Sequence, residues 1–236
     1  VSLDRAFDSP ESKRRHVRTL FATIADRYDL ITQVLSYGQD ARWKRRLIAL
    51  ARVQPGERAL DLAAGTGDVA FAAAEQGART VGLDITHRML QLASAKAAAA
   101  RFITGDMASL PFSAGVFDLV TTSYGLRNVP DLDTAIDEIA RVLKPGGRLL
   151  SLDFNRPENV IVRGVYLFYL SVVGSTLGWL LHRDPDTYRY IPASISRYPG
   201  AGGVAARLAG RGFDQVEVVP VLFGLMSIHV ARRSDR

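Results

Sequence analysis

The chain has 236 residues, of which 47% are hydrophobic and 23% charged, a balance that excludes disorder and suits one folded domain rather than two. It contains no cysteine, which excludes disulfides, thiolate metal ligands and a cysteine nucleophile; no metal is expected, and a reducing cytoplasm fits. The net charge of +6 points to an anionic partner, and since neither an aromatic RNP-type strand nor zinc-finger spacing accompanies it, a membrane surface is expected rather than nucleic acid.

The first stretch, "VSLDRAFDSPESKRRHVRTL", is basic with no apolar run behind it, so no secretory signal is expected. Helical spacing of Val17, Leu20, Phe21 and Ile24 predicts a helix in "SKRRHVRTLFATIADRYDLI", and "DARWKRRLIALARV" predicts a second. Basic residues crowd both: Lys13, Arg14, Arg15 and Arg18, then Arg42, Lys44, Arg45, Arg46 and Arg52. Such runs form either a solvated helix face or an anion-binding one. Pro55-Gly56 closes this helical cap, residues 1–54.

From there strands and helices alternate. "RALDLA", "RTVGLD", "RFITGD", "FDLVTTS" and "GRLLSLDF" read as strands, with "VAFAAAEQG", "HRMLQLASAKAAAA" and "LDTAIDEIARVL" as helices between them. This order predicts a doubly wound α/β fold, a mainly parallel sheet with helices on both faces, over a core of residues 55–154. Residues 160–181, "VIVRGVYLFYLSVVGSTLGWLL", then form a long apolar stretch inside an expected helical lid, residues 155–200. About 20 such residues can span a bilayer. Yet "AARLAGRGF" reads as a further helix and "QVEVVPV" and "MSIHVAR" as final strands, in residues 201–236. An insertion between sheet strands does not easily leave through a membrane, so the stretch is expected to cover an apolar pocket or lie on a membrane surface. An ordinary buried helix pair is the plainer alternative.

"LDLAAGTGDVA" joins the first strand to its helix, and Gly65 and Gly67 allow a tight turn and close approach to a ligand. Gly65 to Ala70 also matches a GxGxxA dinucleotide fingerprint, with Asp84 ending the second strand as a ribose-binding acid would. Against that reading, Asp61 and Asp68 flank the loop, and two carboxylates repel a pyrophosphate. They suit a cationic ligand without phosphate. Singly, Asp84 and Asp106 could be cap or turn residues.

With Asp84 in "GLDITHRML", Asp106 in "TGDMASLPF" and the turn "LKPGGRLL", the chain resembles the Rossmann-like class I methyltransferases that use S-adenosylmethionine. More specifically, "IADRYDL", "LSYGQDARWKRRL", "LDLAAGTGD", "LPFSAGVFDLVTTSYGLRNVPD", "RVLKPGGRLLSLDF" and "YRYIPASISRYP" resemble the ubiquinone/menaquinone biosynthesis C-methyltransferase family, from about Phe21 to His229. The resemblance implies methylation of a ring carbon of a polyprenylated quinol, with S-adenosylhomocysteine as the other product. The quinols are demethylmenaquinol and 2-methoxy-6-polyprenyl-1,4-benzoquinol. It places cofactor contacts at Thr66, Asp84, Asp106, Met107 and Ser123, in a pocket shaped by Asp61, Gly65 and Gly67.

Such chemistry needs a phenol, with a pKa of about 10, to give up its proton. Arg127 in "GLRNV" stays protonated at any ordinary pH and suits an oxyanion or an oriented water, with Asn128 as hydrogen-bond partner. Asp68 is the expected carboxylate for Arg127, and Tyr28 the expected residue at the cap entrance. The plainer alternatives are pairing of Arg127 with Asp131 or Asp133, Asn128 as a turn former, and Tyr28 as core. His229, on an alternating strand, is expected to be structural.

Two departures are visible: Thr32 stands where the family commonly has asparagine, and "AAAARFITGD" makes a short connection into the third strand. A different small-molecule acceptor is therefore the alternative substrate reading, and a non-catalytic cofactor-binding scaffold the alternative class. A greasy tail would place the enzyme in the cytoplasm, peripheral on the inner face of the membrane. Homo-oligomerisation is left open.

Overall fold

The computed structural model describes residues 3–183 and 187–235. Its centre is a seven-stranded sheet in the order β3-β2-β1-β4-β5-β7-β6. The strands are β1 (Arg58–Leu62), β2 (Arg79–Asp84), β3 (Arg101–Thr104), β4 (Phe117–Ser123), β5 (Leu143–Phe154), β6 (Phe213–Val221) and β7 (Met226–Arg233). β1 to β5 pair in parallel, while β7 runs antiparallel to both β5 and β6. The expected doubly wound fold is present.

Strand periodicity divides the core between the two faces. Leu60, Leu62, Val120 and Leu149 pack with one set of helices, whose buried residues include Ile136, Ile139, Val204 and Leu208. Those helices are α6 (Leu132–Val142) and α9 (Gly200–Ala209). Ala59, Leu119, Leu150 and Leu152 face α3 (Asp40–Ala51) and α4 (Asp68–Glu75) through Leu47, Ile48, Val69 and Ala73. Because both faces are covered, the strands read as nearly continuous apolar runs.

Between β2 and β3 lies α5 (His87–Lys96), four residues shorter than the apolar run suggested, because it stops before the alanines at 97–100. β5 takes in the "LKPGG" segment expected as a turn; a register shift at Phe117/Leu119 of β4 and a positive φ at Gly146 accommodate the bend.

The cap also differs from the two helices expected. α1 (Pro10–Ile24) begins at Ser9, whose hydroxyl accepts from the Ser12 amide, with Pro10 in the first turn. One tight turn at residues 25–27 then redirects the chain into α2 (Tyr28–Leu35). Ile24, Ala25 and Ile31 pack here against Met89 of α5 and Tyr188. The 160–181 stretch is one 23-residue helix, α7 (Val160–His182), not a buried pair. Asn159 caps it by accepting from the Ile161 and Val162 amides. Only 17% of its apolar window is buried. α8 (Tyr190–Arg197) follows and returns the chain to the sheet.

Candidate functional site

Two cavities open at the carboxyl ends of the parallel strands, where doubly wound sheets bind ligands. The first holds about 690 Å³ of empty space, mouth included. Five of the residues expected around the cofactor line it: Gly65, Asp84, Asp106, Met107 and Ser123. The second is larger, about 1380 Å³ on the same basis, and mostly apolar, with Ile31, Tyr166, Leu170 and Ile191 among its walls. Phe21, Tyr28 and Tyr124 line both, so the two spaces meet there.

The glycine loop is built around Asp84. Its carboxylate accepts from the Gly65 amide at 2.9 Å and the Thr86 amide at 2.7 Å, which fixes the loop to the end of β2. Gly65 has φ +53, and a β-carbon there would point toward the Tyr28 ring at 3.8 Å, in the cavity. Gly67 has φ +92, and a β-carbon would come within 2.6 Å of the Phe71 ring, which packs edge-on against Phe102. Gly67→Ala is therefore expected to destabilise the fold by about 1–3 kcal/mol and to weaken cofactor binding; thermal melts and calorimetric titration check this.

Thr66, Asp61 and Gly67 lie behind the cavity rather than on its wall. Thr66 donates its hydroxyl to Asp29 of α2 at 2.6 Å, joining the loop to the cap. Asp61 is buried under the loop and accepts from the Thr121 hydroxyl at 2.8 Å. Burial pushes its carboxyl up to about 7. Burial also raises Asp84 and Asp153. A raised carboxyl binds more protons in the folded chain than in the unfolded one, so stability falls as pH climbs from 3.8 toward about 7. Urea unfolding at pH 5 and pH 8 is expected to show this decline, and Asp61→Asn to flatten it.

The cap closes the first cavity from above. Arg14 of α1 pairs with Asp106 at 2.9 Å, while Lys13 donates to the Arg127 and Val129 carbonyls at 3.1 and 2.6 Å. Burial, and then Arg127, bring Lys13 down to about 8.

Arg127 and Asn128, neighbours in sequence, face different spaces. Asn128 lines the first cavity, donates to the Tyr124 carbonyl at 2.7 Å and leaves a buried Oδ1 with no partner among the described residues. Asn128, expected to face the acceptor beside Arg127, thus lines the first cavity and not the apolar one. Arg127 lines the apolar cavity. Its expected pairing with Asp68 is not formed. Asp68 sits at the start of α4, bound to Lys44 at 2.9 Å and Lys96 at 3.4 Å, which hold its carboxyl below the usual range against the effect of burial.

The carboxylate paired with Arg127 is Asp153, at the end of β5. It accepts from the Arg127 amide at 3.1 Å and from Nε at 3.2 Å. Nη1 donates to the Ser194 hydroxyl of α8, and the guanidinium lies 5.2 Å from the centre of the Phe154 ring. Nη2 makes no hydrogen bond among the described residues. Asp131 and Asp133 are engaged elsewhere, as the α6 cap and with Arg207.

Sequence reasoning also missed Tyr124 and Lys44. Tyr124 adopts φ +60, unusual for a side chain of that size, and donates its hydroxyl to Asp40 at 2.6 Å. Lys44 bridges Asp40 at 2.6 Å and Asp68 at 2.9 Å, binding α3 to the glycine loop. Burial would lower its pKa, but Tyr28, Asp40 and Asp68 keep it above its ordinary value. His229 is structural in its contacts: fully buried, with Nε2 2.9 Å from the Ala201 carbonyl and a pKa lowered by burial.

The first cavity fits a cationic adenosyl ligand. Carboxylates, a serine hydroxyl and an unpartnered amide oxygen stand over the apolar walls of Val17, Leu83 and Met89. The model of the ubiE/COQ5 methyltransferase family matches residues 9–233. Demethylmenaquinone methyltransferase of Thermus thermophilus is 41% identical over 220 residues, spanning 91% of this chain and 100% of its own. Ubiquinone/menaquinone biosynthesis C-methyltransferase UbiE of Azotobacter vinelandii is 38% identical over 234 residues, spanning 93% of this chain and 91% of its own. Among solved structures, an S-adenosylmethionine-dependent methyltransferase of Thermotoga maritima, described as a possible histamine N-methyltransferase, superposes with a TM-score of 0.68 at 18% identity. It covers 93% of this chain and 100% of that one, a likeness of fold alone. Matched by the family model along nearly its whole length and by these relatives at 41% and 38% identity, the chain belongs to the ubiE/COQ5 methyltransferase family.

Proposed function

We propose that this chain is a C-methyltransferase of quinone biosynthesis that uses S-adenosylmethionine and methylates a ring carbon of a polyprenylated quinol. The acceptor is demethylmenaquinol, 2-methoxy-6-polyprenyl-1,4-benzoquinol or both. The observation that carries this reading is the junction at Phe21, Tyr28 and Tyr124 between a cleft that carries Asp84, Asp106 and Ser123 and a larger apolar cavity holding Arg127. A small polar acceptor would not need such a cavity.

S-adenosylmethionine, when bound, supplies an electrophilic methyl group on a positively charged sulfur. Asp84, at the end of β2, and Asp106, after β3, stand where ribose hydroxyls and adenine would be held. Asp106 must exchange its ion pair with Arg14 for such a contact. Ser123 and the Asn128 amide oxygen offer further acceptors on the same wall.

In the apolar cavity, Asp153 and Ser194 fix two edges of the Arg127 guanidinium and leave Nη2 for the substrate. A positive charge there favours the phenolate over the phenol, whose proton passes to a water molecule, and this pushes electron density onto the neighbouring ring carbon; once methylated, that carbon releases its hydrogen as a proton, also to water, and the aromatic ring is restored. Tyr28 and Tyr124 position the ring between the two spaces, and the apolar walls keep water from the reacting face.

Transfer of labelled methyl from S-adenosylmethionine to each quinol tests the reading. Product is expected with at least one, and calorimetry is expected to show binding of S-adenosylmethionine but not NADH. Binding of the cofactor with no transfer to either quinol would favour a different acceptor; no cofactor binding would reject the reading altogether.

A further inference from the structure

The mouth of the apolar cavity has an unusual rim. Leu222 and Phe223, in the turn between β6 and β7, both take left-handed backbone conformations, with φ 49 and 53. Tyr37, after α2, does the same with φ 50. Side chains of this size avoid that region because the β-carbon crowds the following carbonyl. Here the strain serves to turn apolar side chains outward: Phe223 is fully exposed and Tyr37 is 73% exposed. Across the mouth, the Tyr37 hydroxyl meets that of Tyr169 on α7, a helix that bares Phe168, Val172 and Trp179 as well.

Cations stand beside this tip. A shallow groove joins Leu222 and Phe223 to Arg42, Trp43 and Arg46 of α3. Arg42 and Arg46 are exposed and form no ion pair among the described residues, so both charges are open to an anionic partner. Bare aromatic residues flanked by unpaired arginines, around the entrance of a greasy cavity, complement the boundary of a bilayer carrying anionic headgroups. A second copy of this chain would bring the same cations against themselves.

We infer that this rim is a docking surface for an anionic membrane: Phe223 and Tyr37 enter the acyl boundary, Arg42 and Arg46 hold lipid phosphates, and the cavity opens directly onto the leaflet. The inference rests on the proposed quinol reading for its purpose but not for its binding test. It accounts for a soluble fold whose cavity must receive a tail that does not dissolve in water.

The test compares the wild-type chain with Phe223→Ser and with Arg42→Glu/Arg46→Glu, none of which alters a residue lining either cavity. Wild type is expected to co-sediment with phosphatidylglycerol-containing vesicles at low salt, to release as salt rises, and to bind phosphatidylcholine vesicles weakly. Phe223→Ser is expected to weaken the partition roughly tenfold, and the charge reversal to abolish the preference for anionic lipid. Turnover of a long-tailed quinol embedded in vesicles should fall in parallel, while turnover of a short-tailed, water-soluble quinol stays unchanged. Vesicle binding unaffected by both variants would overturn the inference, as would an ultracentrifugation result in which they dissociate a dimer formed through this face. If wild type binds vesicles but methylates neither quinol, the functional reading fails and the docking surface stands.

Discussion

Arg127→Ala is expected to lower kcat for quinol methylation by about 10²–10³-fold, the loss found when a positioned donor to a developing oxyanion is removed. Cofactor affinity should change little, because Arg127 lines the apolar cavity and not the first cavity, where the cofactor is proposed to bind. The alanine variant also leaves Asp153 buried without its cation, so a second substitution separates the effects. Arg127→Lys keeps the charge but loses the planar fork that reaches Asp153, Ser194 and the cavity together. It should hold most of the stability and still lose most of kcat. Steady-state kinetics beside urea unfolding read the two quantities, and full turnover in the lysine variant would remove the planar guanidinium from the mechanism.

Asp153→Ala is expected to produce the largest loss of stability of any single change at the site. The carboxylate is fully buried, it accepts from the Arg127 and Phe154 amides as well as from Nε, and its removal strands a buried guanidinium. Breaking a buried pair on one side costs about 3–5 kcal/mol. Asp153→Asn keeps an acceptor for the backbone amides, so it should cost less in folding while letting Arg127 swing from its place. That variant is expected to fold, bind cofactor and turn over slowly. Equal stability of wild type and Asp153→Ala in urea would show that the pair does not hold the loop after β4.

Much of the fold was legible in the sequence because its signals are local. Buried parallel strands make short apolar runs, and "RTVGLD" and "FDLVTTS" coincide with β2 and β4 residue for residue. The gathering of residues in the first cavity was legible for a related reason: they sit at the carboxyl ends of consecutive strands, so chain order alone brings Gly65, Asp84, Asp106 and Ser123 together. The apolar cavity was not, because its walls come from distant elements. Arg127 and Ser194 are 67 positions apart, and no spacing rule joins α8 to the loop after β4. Asp68 was the expected partner of Arg127, yet Lys44 of the cap takes it up. Asp153 carried a usable signal, a lone charge at the carboxyl end of a buried strand, which is where such sheets place functional groups. The turn at residues 25–27 was hidden because helical apolar spacing continues through it.

In the proposed reaction the methyl group reaches ring carbon, directed by the guanidinium of Arg127 on the neighbouring oxygen. The most direct measurement is a reaction with S-adenosylmethionine labelled by ¹³C in its methyl group and a demethylmenaquinol acceptor, with the product resolved by NMR. A single labelled methyl bonded to a ring carbon is expected, formed far more slowly with Arg127→Ala. Label on a phenol oxygen, or the same rate in wild type and variant, would contradict it.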